Sequence, residues 1–403
     1  MTMKQRKIIY VDNNATTAIA PEVLAAMQPY FGAEYFNPSS MYDAARSSAR
    51  AIEQARSTIA RCLGGIEPDQ LLFTGSATES NNAALFGVVQ ANPDRRHVIT
   101  TAVEHPSVLE IGKELERRGL AVTFLPVDRN GELDIDRFVR ALRADTLMVS
   151  VMMANNETGV CYPVAKLARI AKQTDARIVV HSDATQALGK LPVDLHDTLQ
   201  HVDLLSFSGH KIHAPKGVGA LFVRRGTRWR PFILGGHQEQ GRRAGTENVP
   251  YIVGLAKACE LAVAGLDDEQ QRVRAMRDRL QHALVELIPA LEVNGIAAAE
   301  RLPNTLNLAI HGIEGEAILA ELNRHGICAS SGSACTSGTL DPSHVLKAMQ
   351  VPFTAIHGSL RISLSRYNDE SDIDRIIEVL PKIVVRLRRL SPYWDDERDC
   401  LDI

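Results

Sequence analysis

Between about residues 60 and 225 the chain alternates short apolar runs with amphipathic stretches, and that rhythm constrains the fold more than any other feature. The strand-length runs are 71–74, 98–101, 121–125, 147–152, 178–182, 202–207 and 218–223. Several are nearly continuous in Val, Ile and Leu, which suits strands covered by helices on both faces of a mainly parallel sheet. Helical spacing falls between them at 46–62, 79–91, 106–118 and 163–174. The expected class is therefore α/β. A long helical stretch follows at about 249–288. Beyond 290, shorter strands (304–310, 327–330, 359–365) and helices (314–324, 372–389) predict a smaller α+β domain. The polar stretch from Ser391 to Ile403 is expected to be loose.

Composition narrows the function. With 45 basic and 48 acidic residues, the formal charge of −3 gives no reason to expect nucleic acid or an anionic membrane surface. The basic start Met1-Thr2-Met3-Lys4-Gln5-Arg6-Lys7 has no apolar segment after it, so a cytoplasmic protein without a membrane span is expected. Six cysteines without paired spacing argue against a disulfide framework and against a metal site.

Ligands of open α/β sheets bind beyond the carboxyl ends of the strands, and three polar clusters sit there. Gly75-Ser76-Ala77-Thr78-Glu79 follows the first strand. Ser76 and Glu79 have capping-box spacing, and a helix start offers amides to a phosphate. Asp183-Ala184-Thr185-Gln186 offers a carboxylate for a protonated ring nitrogen. Ser208-Gly209-His210-Lys211 offers an amine that partial burial would make nucleophilic. Taken singly, these read as two helix caps and a surface lysine. Together they supply what pyridoxal phosphate needs: a phosphate cup, a partner for the pyridinium nitrogen and an imine-forming lysine. His105 and Asn156 also follow strands and are candidates to stack on the cofactor ring and to bond its hydroxyl.

Cys335 lies in Ser331-Gly332-Ser333-Ala334-Cys335-Thr336-Ser337-Gly338, a small-residue segment expected to be mobile. Cys62 and Cys259 read as helix core, and Cys328 as strand core. Arg361, in the apolar strand Leu360-Arg361-Ile362, needs a partner: a substrate carboxylate or a structural ion pair. The glycine- and charge-rich segment from Gly235 to Asn248 is a candidate to approach phosphate, that of a neighbouring subunit included.

These residues give the chain a family resemblance. It is similar, nearly end to end, to the pyridoxal-phosphate cysteine desulfurases of the NifS/IscS type. The motifs are Asp12-Asn13-Asn14-Ala15-Thr16-Thr17, Phe36-Asn37-Pro38, Thr78-Glu79-Ser80-Asn81, Glu104-His105-Pro106, Asn155-Asn156-Glu157, Ser182-Asp183-Ala184, Ser208-Gly209-His210-Lys211, Arg243-Ala244-Gly245-Thr246-Glu247-Asn248 and the Cys335 segment. The cysteine segment is of the long-loop form. The start at Asp12 and the end Ser391-Pro392-Tyr393-Trp394 look more like the nitrogen-fixation branch than the housekeeping one.

The resemblance implies an aspartate-aminotransferase-type fold. Residues 16–260 form a large cofactor domain, and 1–15 with 261–403 form a small domain carrying the cysteine loop at about 330–342. It implies that Lys211 holds the cofactor as an imine, Asp183 pairs with the ring nitrogen and Gln186 bonds the ring oxygen. Ala77, Thr78, Ser208 and His210 hold the phosphate, with Thr246 reaching over from the other subunit of a homodimer. His105 stacks on the ring and moves protons. Asn37, Asn156 and Arg361 bind substrate, and Cys335 accepts sulfur. The implied activity converts L-cysteine to L-alanine and a Cys335 persulfide, with an iron–sulfur scaffold protein as sulfur acceptor. Housekeeping or tRNA-thiolation supply, selenocysteine lyase and aminotransferase are the alternatives.

Overall fold

The computed structural model describes residues 7–295, 300–331, 342–395 and 400–401. The apolar runs form strands: β1 (Ile9–Tyr10), β2 (Leu71–Thr74), β3 (His97–Thr101), β4 (Ala121–Leu125), β5 (Thr146–Ser150), β6 (Val179–Asp183), β7 (Leu204–Ser208) and β8 (Gly219–Val223). β2 to β8 make one sheet in the order β2-β8-β7-β6-β5-β3-β4. Its pairs are parallel except the two that β8 makes, so the other six strands share one direction. Their carboxyl ends therefore lie along one edge, where an α/β sheet places its site.

The strands read as unbroken apolar runs because both faces are covered. Leu71, Phe73, Ile99, Val149, Val180 and Phe207 share one face's core with α1 (Pro21–Met27), α2 (Ala45–Cys62), α5 (Ile135–Ala141), α6 (Val164–Thr174) and α7 (Val249–Ala264). Leu72, Val98, Leu147 and Leu204 pack on the other beneath α3 (Ala77–Ala91) and α4 (Pro106–Arg117). Adjacent Leu71 and Leu72 fall on opposite faces, as the two-residue period requires. β4, at the sheet edge, is mostly half-buried.

A second core joins Ile9 and Val11 to Leu280, Leu308, Ile318, Ile362, Ile376 and Leu380. Its strands are β9 (Leu291–Val293), β10 (Thr305–Ile310), β11 (Ile327–Cys328) and β12 (Ser359–Ser363). β12, β10 and β9 form an antiparallel sheet, and β1 pairs in parallel with β11. Late residues also enter the first core, among them Leu302, Val345, Leu346 and Ile356.

Two local expectations need correction. The stretch 249–288 is not one helix: α7 ends at Ala264 and the pair Val249–Ala264 and Leu266–Leu287 is bent by 60° at Gly265. The π-type turn Glu269–Val273 that follows buries Glu269, which pairs with Arg366 at 3.2 Å. Nor is the whole tail loose. Trp394 is buried, the Arg388 guanidinium lies 3.6 Å from its ring centroid, and the strand pair Trp394–Asp395 and Cys400–Leu401 ties it down.

The glycine-rich segment after Gly235 carries its own anchor. Glu239 adopts φ +48°, and its buried carboxylate takes both Arg56 Nη atoms at 2.9 and 2.8 Å and the Phe73 amide at 2.9 Å. A Glu239→Ala variant removes the buried carboxylate that pairs both Arg56 Nη atoms and leaves that guanidinium only the Leu71 carbonyl at 2.9 Å and the largely exposed Glu53 carboxylate at 3.5 Å, so it is expected to lose about 3–5 kcal/mol of stability. Denaturant unfolding measures this. A loss of less than ~1 kcal/mol, the scale of an exposed pair, contradicts it.

Candidate active site

Each polar cluster sits where its strand ends. β2 runs into α3, whose N-cap Ser76 accepts the Glu79 amide at 3.2 Å. The capping box is only half formed. The Glu79 carboxylate takes the Gly75 amide at 2.7 Å and is held by Arg243 at 2.8 Å, instead of returning to Ser76. The first-turn amides of Ala77 and Thr78 have no helical carbonyl to serve, at the positive end of the helix.

β7 runs into the tight turn Gly209–Lys211. The N-terminal residues hold this turn from outside: Thr17 donates its amide to the His210 carbonyl at 2.9 Å. The Lys211 amine donates to the carbonyls of Asn14 and Ala15, each at 2.7 Å. His210 lies 3.2 Å from the Thr16 hydroxyl. Burial and then the neighbouring Lys211 push its pKa down to about 4, so the ring is neutral near pH 7.

Asp183 ends β6 and is 6 % exposed. One carboxylate oxygen accepts the Thr185 amide and the other the Asn81 side-chain amide, both at 2.8 Å. Gln186 donates to the Asn14 carbonyl at 2.9 Å. His105 caps α4 and accepts the Ser107 amide at Nδ1, 3.1 Å away. Burial lowers its pKa. Arg361, 2 % exposed in β12, is in an ion pair: Nη2 meets Asp12 at 2.8 Å, and Nη1 donates to the Asn156 carbonyl at 3.1 Å. Its Nε has no hydrogen-bond partner among the described residues.

Ala77, Thr78, His105, Asn156, Asp183, Gln186, Ser208, His210, Lys211 and Arg361 all line one cavity of about 370 Å³. Three sequence candidates do not. Asn37 is exposed, its side chain accepting the Ser39 amide at 3.0 Å. Thr246 lies with Gly75 and Arg243 in a separate cavity of about 180 Å³. Cys335 lies outside the described residues, as do 332–341 generally. Among the described cysteines, burial raises the thiol pKa of Cys62 and Cys259 and pushes that of Cys161 up to about 12.

Sequence reading did not single out Ser107, Met152, Ala154 and Thr185, which also line the cavity. Asn14 and Ala15 line it too. Their signal was the motif starting at Asp12, but nothing local shows that their carbonyls face a lysine almost 200 positions away.

The donor set fits pyridoxal phosphate. Two helix-start amides, the Ser208 hydroxyl and His210 suit a phosphate. Asp183 suits a protonated ring nitrogen and Lys211 an aldehyde. Two buried polar atoms on this wall, Thr185 Oγ1 and Arg361 Nε, have no hydrogen-bond partner among the described residues, as expected where a polar ligand belongs.

Comparison with known proteins agrees with this geometry. The aminotransferase class-V family model matches residues 9–376. A cysteine desulfurase of Trichormus azollae is 51 % identical over 390 residues, 97 % of this chain and 96 % of its own length. Cysteine desulfurase NifS of Azotobacter vinelandii is 49 % identical over 386 residues, 96 % and 95 % of the two chains. A solved NifS-like protein superposes with a TM-score of 0.89 at 37 % identity, covering 94 % of this chain and 100 % of that one. An α/β chain with this cavity and these relatives belongs to the class-V aminotransferase family and, within it, to the pyridoxal-phosphate-dependent cysteine desulfurases of the NifS/IscS type.

Proposed function

We propose that this chain takes sulfur from L-cysteine, releases L-alanine and keeps the sulfur as a persulfide on Cys335. One observation carries the reading. Lys211, Asp183 and Arg361 line one cavity; before the Cys335 segment Ser330 is tied to that wall, and after it Ser343 and His344 are tied to Glu157 and Glu104, the chain neighbours of the wall residues Asn156 and His105. Ser330 exchanges two backbone hydrogen bonds with Arg361, at 3.2 and 2.7 Å. Ser343 donates to the Glu157 carboxylate at 2.5 Å, and His344 lies 2.9 Å from the Glu104 carbonyl.

When bound, pyridoxal phosphate supplies an electron sink that acidifies the substrate Cα–H and weakens the Cβ–S bond. The chain does the rest. Ala77, Thr78, Ser208 and His210 would hold the phosphate, Asp183 would keep the ring nitrogen protonated, and Gln186 would bond the ring oxygen. Lys211 holds the cofactor and then moves the Cα proton at Nζ. His105, on the cavity wall, would face the ring and carry a proton at Nε2. Arg361 takes the substrate carboxylate, with Asn156 and Asn37 completing the grip. The Cys335 thiolate attacks the substrate sulfur: an S–S bond forms, the Cβ–S bond breaks, and its electron pair stays on carbon, which gains a proton. L-cysteine plus thiol thus balances L-alanine plus persulfide.

The proposal extends to assembly and setting. Residues 16–260 form the cofactor domain, and 1–15 with 261–403 the domain bearing Cys335. The enzyme works as a homodimer in which Thr246 serves the phosphate site of the second copy. That arrangement accounts for Thr246 lying outside the 370 Å³ cavity of its own chain. The sulfur acceptor is an iron–sulfur scaffold protein, in a nitrogen-fixation setting that the Azotobacter relative's name supports. Persulfide chemistry of this kind suits the reducing cytoplasm. Among the described residues no single helix is long and apolar enough to cross a membrane.

Incubation of the purified enzyme with L-cysteine tests the reading. Alanine and sulfane sulfur are expected in equal amounts, the first equivalent as a persulfide on Cys335 seen by mass of the alkylated peptide. Alanine without sulfane sulfur overturns it.

A further inference from the structure

We infer that Asn81 and Ser107 are positioning residues that hold the His105 ring with its proton on Nε2, through a one-way chain of hydrogen bonds that starts at the Asp183 carboxylate. The inference rests on the cofactor-site reading of Asp183 and His105 and adds two residues to which that reading gives no role.

Asn81 is fully buried inside α3, where asparagine is a poor helix former. Its side-chain nitrogen has two hydrogens, and both have acceptors: Asp183 Oδ2 at 2.8 Å and Ser107 Oγ at 2.9 Å. Its Oδ1 is buried with no hydrogen-bond partner among the described residues. A residue chosen for packing alone would not leave an amide oxygen buried and unsatisfied. Turning the amide over would set that oxygen against the carboxylate, so Asp183 fixes which way Asn81 points.

The direction then propagates. Ser107 Oγ accepts from Asn81, which leaves its own hydrogen for His105 Nδ1 at 2.8 Å. The Ser107 backbone amide donates to the same nitrogen at 3.1 Å. A backbone N–H can only donate. Nδ1 therefore carries a lone pair facing two donors, and the ring proton sits on Nε2. A proton on Nδ1 would face the backbone N–H, so both the other tautomer and the doubly protonated ring are disfavoured. The carboxylate assigned to the ring nitrogen and the histidine assigned to proton movement are thereby set by one network, with Asn81 and Ser107 between them.

The test reads the ring itself. The full-length, cofactor-loaded enzyme is labelled with 15N-histidine, and the His105 signals are assigned by their loss in His105→Gln. In the wild type, one species is expected, with Nδ1 unprotonated and Nε2 protonated. In Ser107→Ala the backbone donor stays and the hydroxyl goes, and a mixture with the Nδ1-protonated forms is expected. Ser107→Thr, which restores the hydroxyl, is expected to return the single species. In Asn81→Ala the His105 signals are expected to move the same way, although Asn81 does not touch His105. Both disruptive variants are expected to lower kcat for alanine release by about tenfold with KM little changed.

The inference is overturned if the wild-type ring is protonated on Nδ1. It is equally overturned if Ser107→Ala keeps the wild-type ring signals, or if a folded Asn81→Ala does. Should Asn81→Ala fail to fold, the Ser107→Ala and Ser107→Thr pair decides. The ring signals do not depend on what the enzyme does to cysteine. Failure of the desulfurase reading would appear separately, as wild-type enzyme that makes no alanine and sulfane sulfur.

Discussion

A Lys211→Ala variant is expected to lose at least about a thousandfold in alanine formation from L-cysteine, because one substitution removes both the covalent tether and the base. The Lys211 amine donates to two carbonyls at 2.7 Å, so the chain presents it at a set position at the strand end. Alanine at 211 leaves the phosphate contacts and the Asp183 contact in place. The variant should therefore still take up pyridoxal phosphate, and lose it on gel filtration where the wild type keeps it. Added methylamine should restore part of the rate by replacing the missing amine. Activity within tenfold of wild type would remove Lys211 from the chemistry.

A Cys335→Ala variant is expected to make no persulfide and to lose about a hundredfold or more in turnover, while still binding L-cysteine. Binding is assigned to Arg361 and Asn156, so the colour change on adding L-cysteine should persist. Turnover should stop where sulfur leaves carbon. The matching control is Cys328→Ala, which should keep wild-type turnover and persulfide. Persulfide formed by the Cys335→Ala enzyme would move the acceptor role elsewhere. Turnover without any sulfane sulfur would point to transamination.

Much of the scaffold could be read locally because the sheet is buried on both faces. Runs such as Leu71–Thr74 and Gly219–Val223 therefore stand out against their amphipathic neighbours, and the strands of the large sheet begin and end within two residues of where those runs do. The break at Gly265 was hidden because the residues on both sides keep helical composition. α7 stops at its C-cap Gly265, and the distant Arg366 holds both sides of the break, donating to the Leu261 carbonyl and pairing with Glu269, each at 3.2 Å. Trp394 was missed for a similar reason: its local sequence is polar, and its burial depends on Arg388 above its ring.

The cavity shows the same division. Lys211, Asp183 and Thr78 could be picked out because each directly follows an apolar strand, and strand ends gather at one edge. Asn81 and Ser107 carry no such mark. The bond from Asn81 to Asp183 joins residues 102 positions apart, so it follows from the sheet order and not from any local spacing. Asn37 came from the family pattern alone, and Thr246 was marked locally only as part of the Gly235–Asn248 segment; within one chain neither lies in the cavity.

The path of residues 9–20 has a consequence for the order of synthesis. Ile9 and Tyr10 pair with Ile327 and Cys328, and Asn13 and Asn14 bond Ser363. A few residues on, Thr17 and Ala20 bond the turn that carries Lys211 and His213. Residues 9–20 are thus the strap between the two cores, and they are made more than 300 residues before their strand partners. At roughly 5–20 residues per second, the strap waits on the order of half a minute for β12 to appear. Until then the Lys211 turn lacks a strap anchored at its far end, and Arg361, on β12, is missing from the wall. A nascent chain can build its large sheet early, but it becomes an enzyme only when its first strand meets strands made more than 300 residues later.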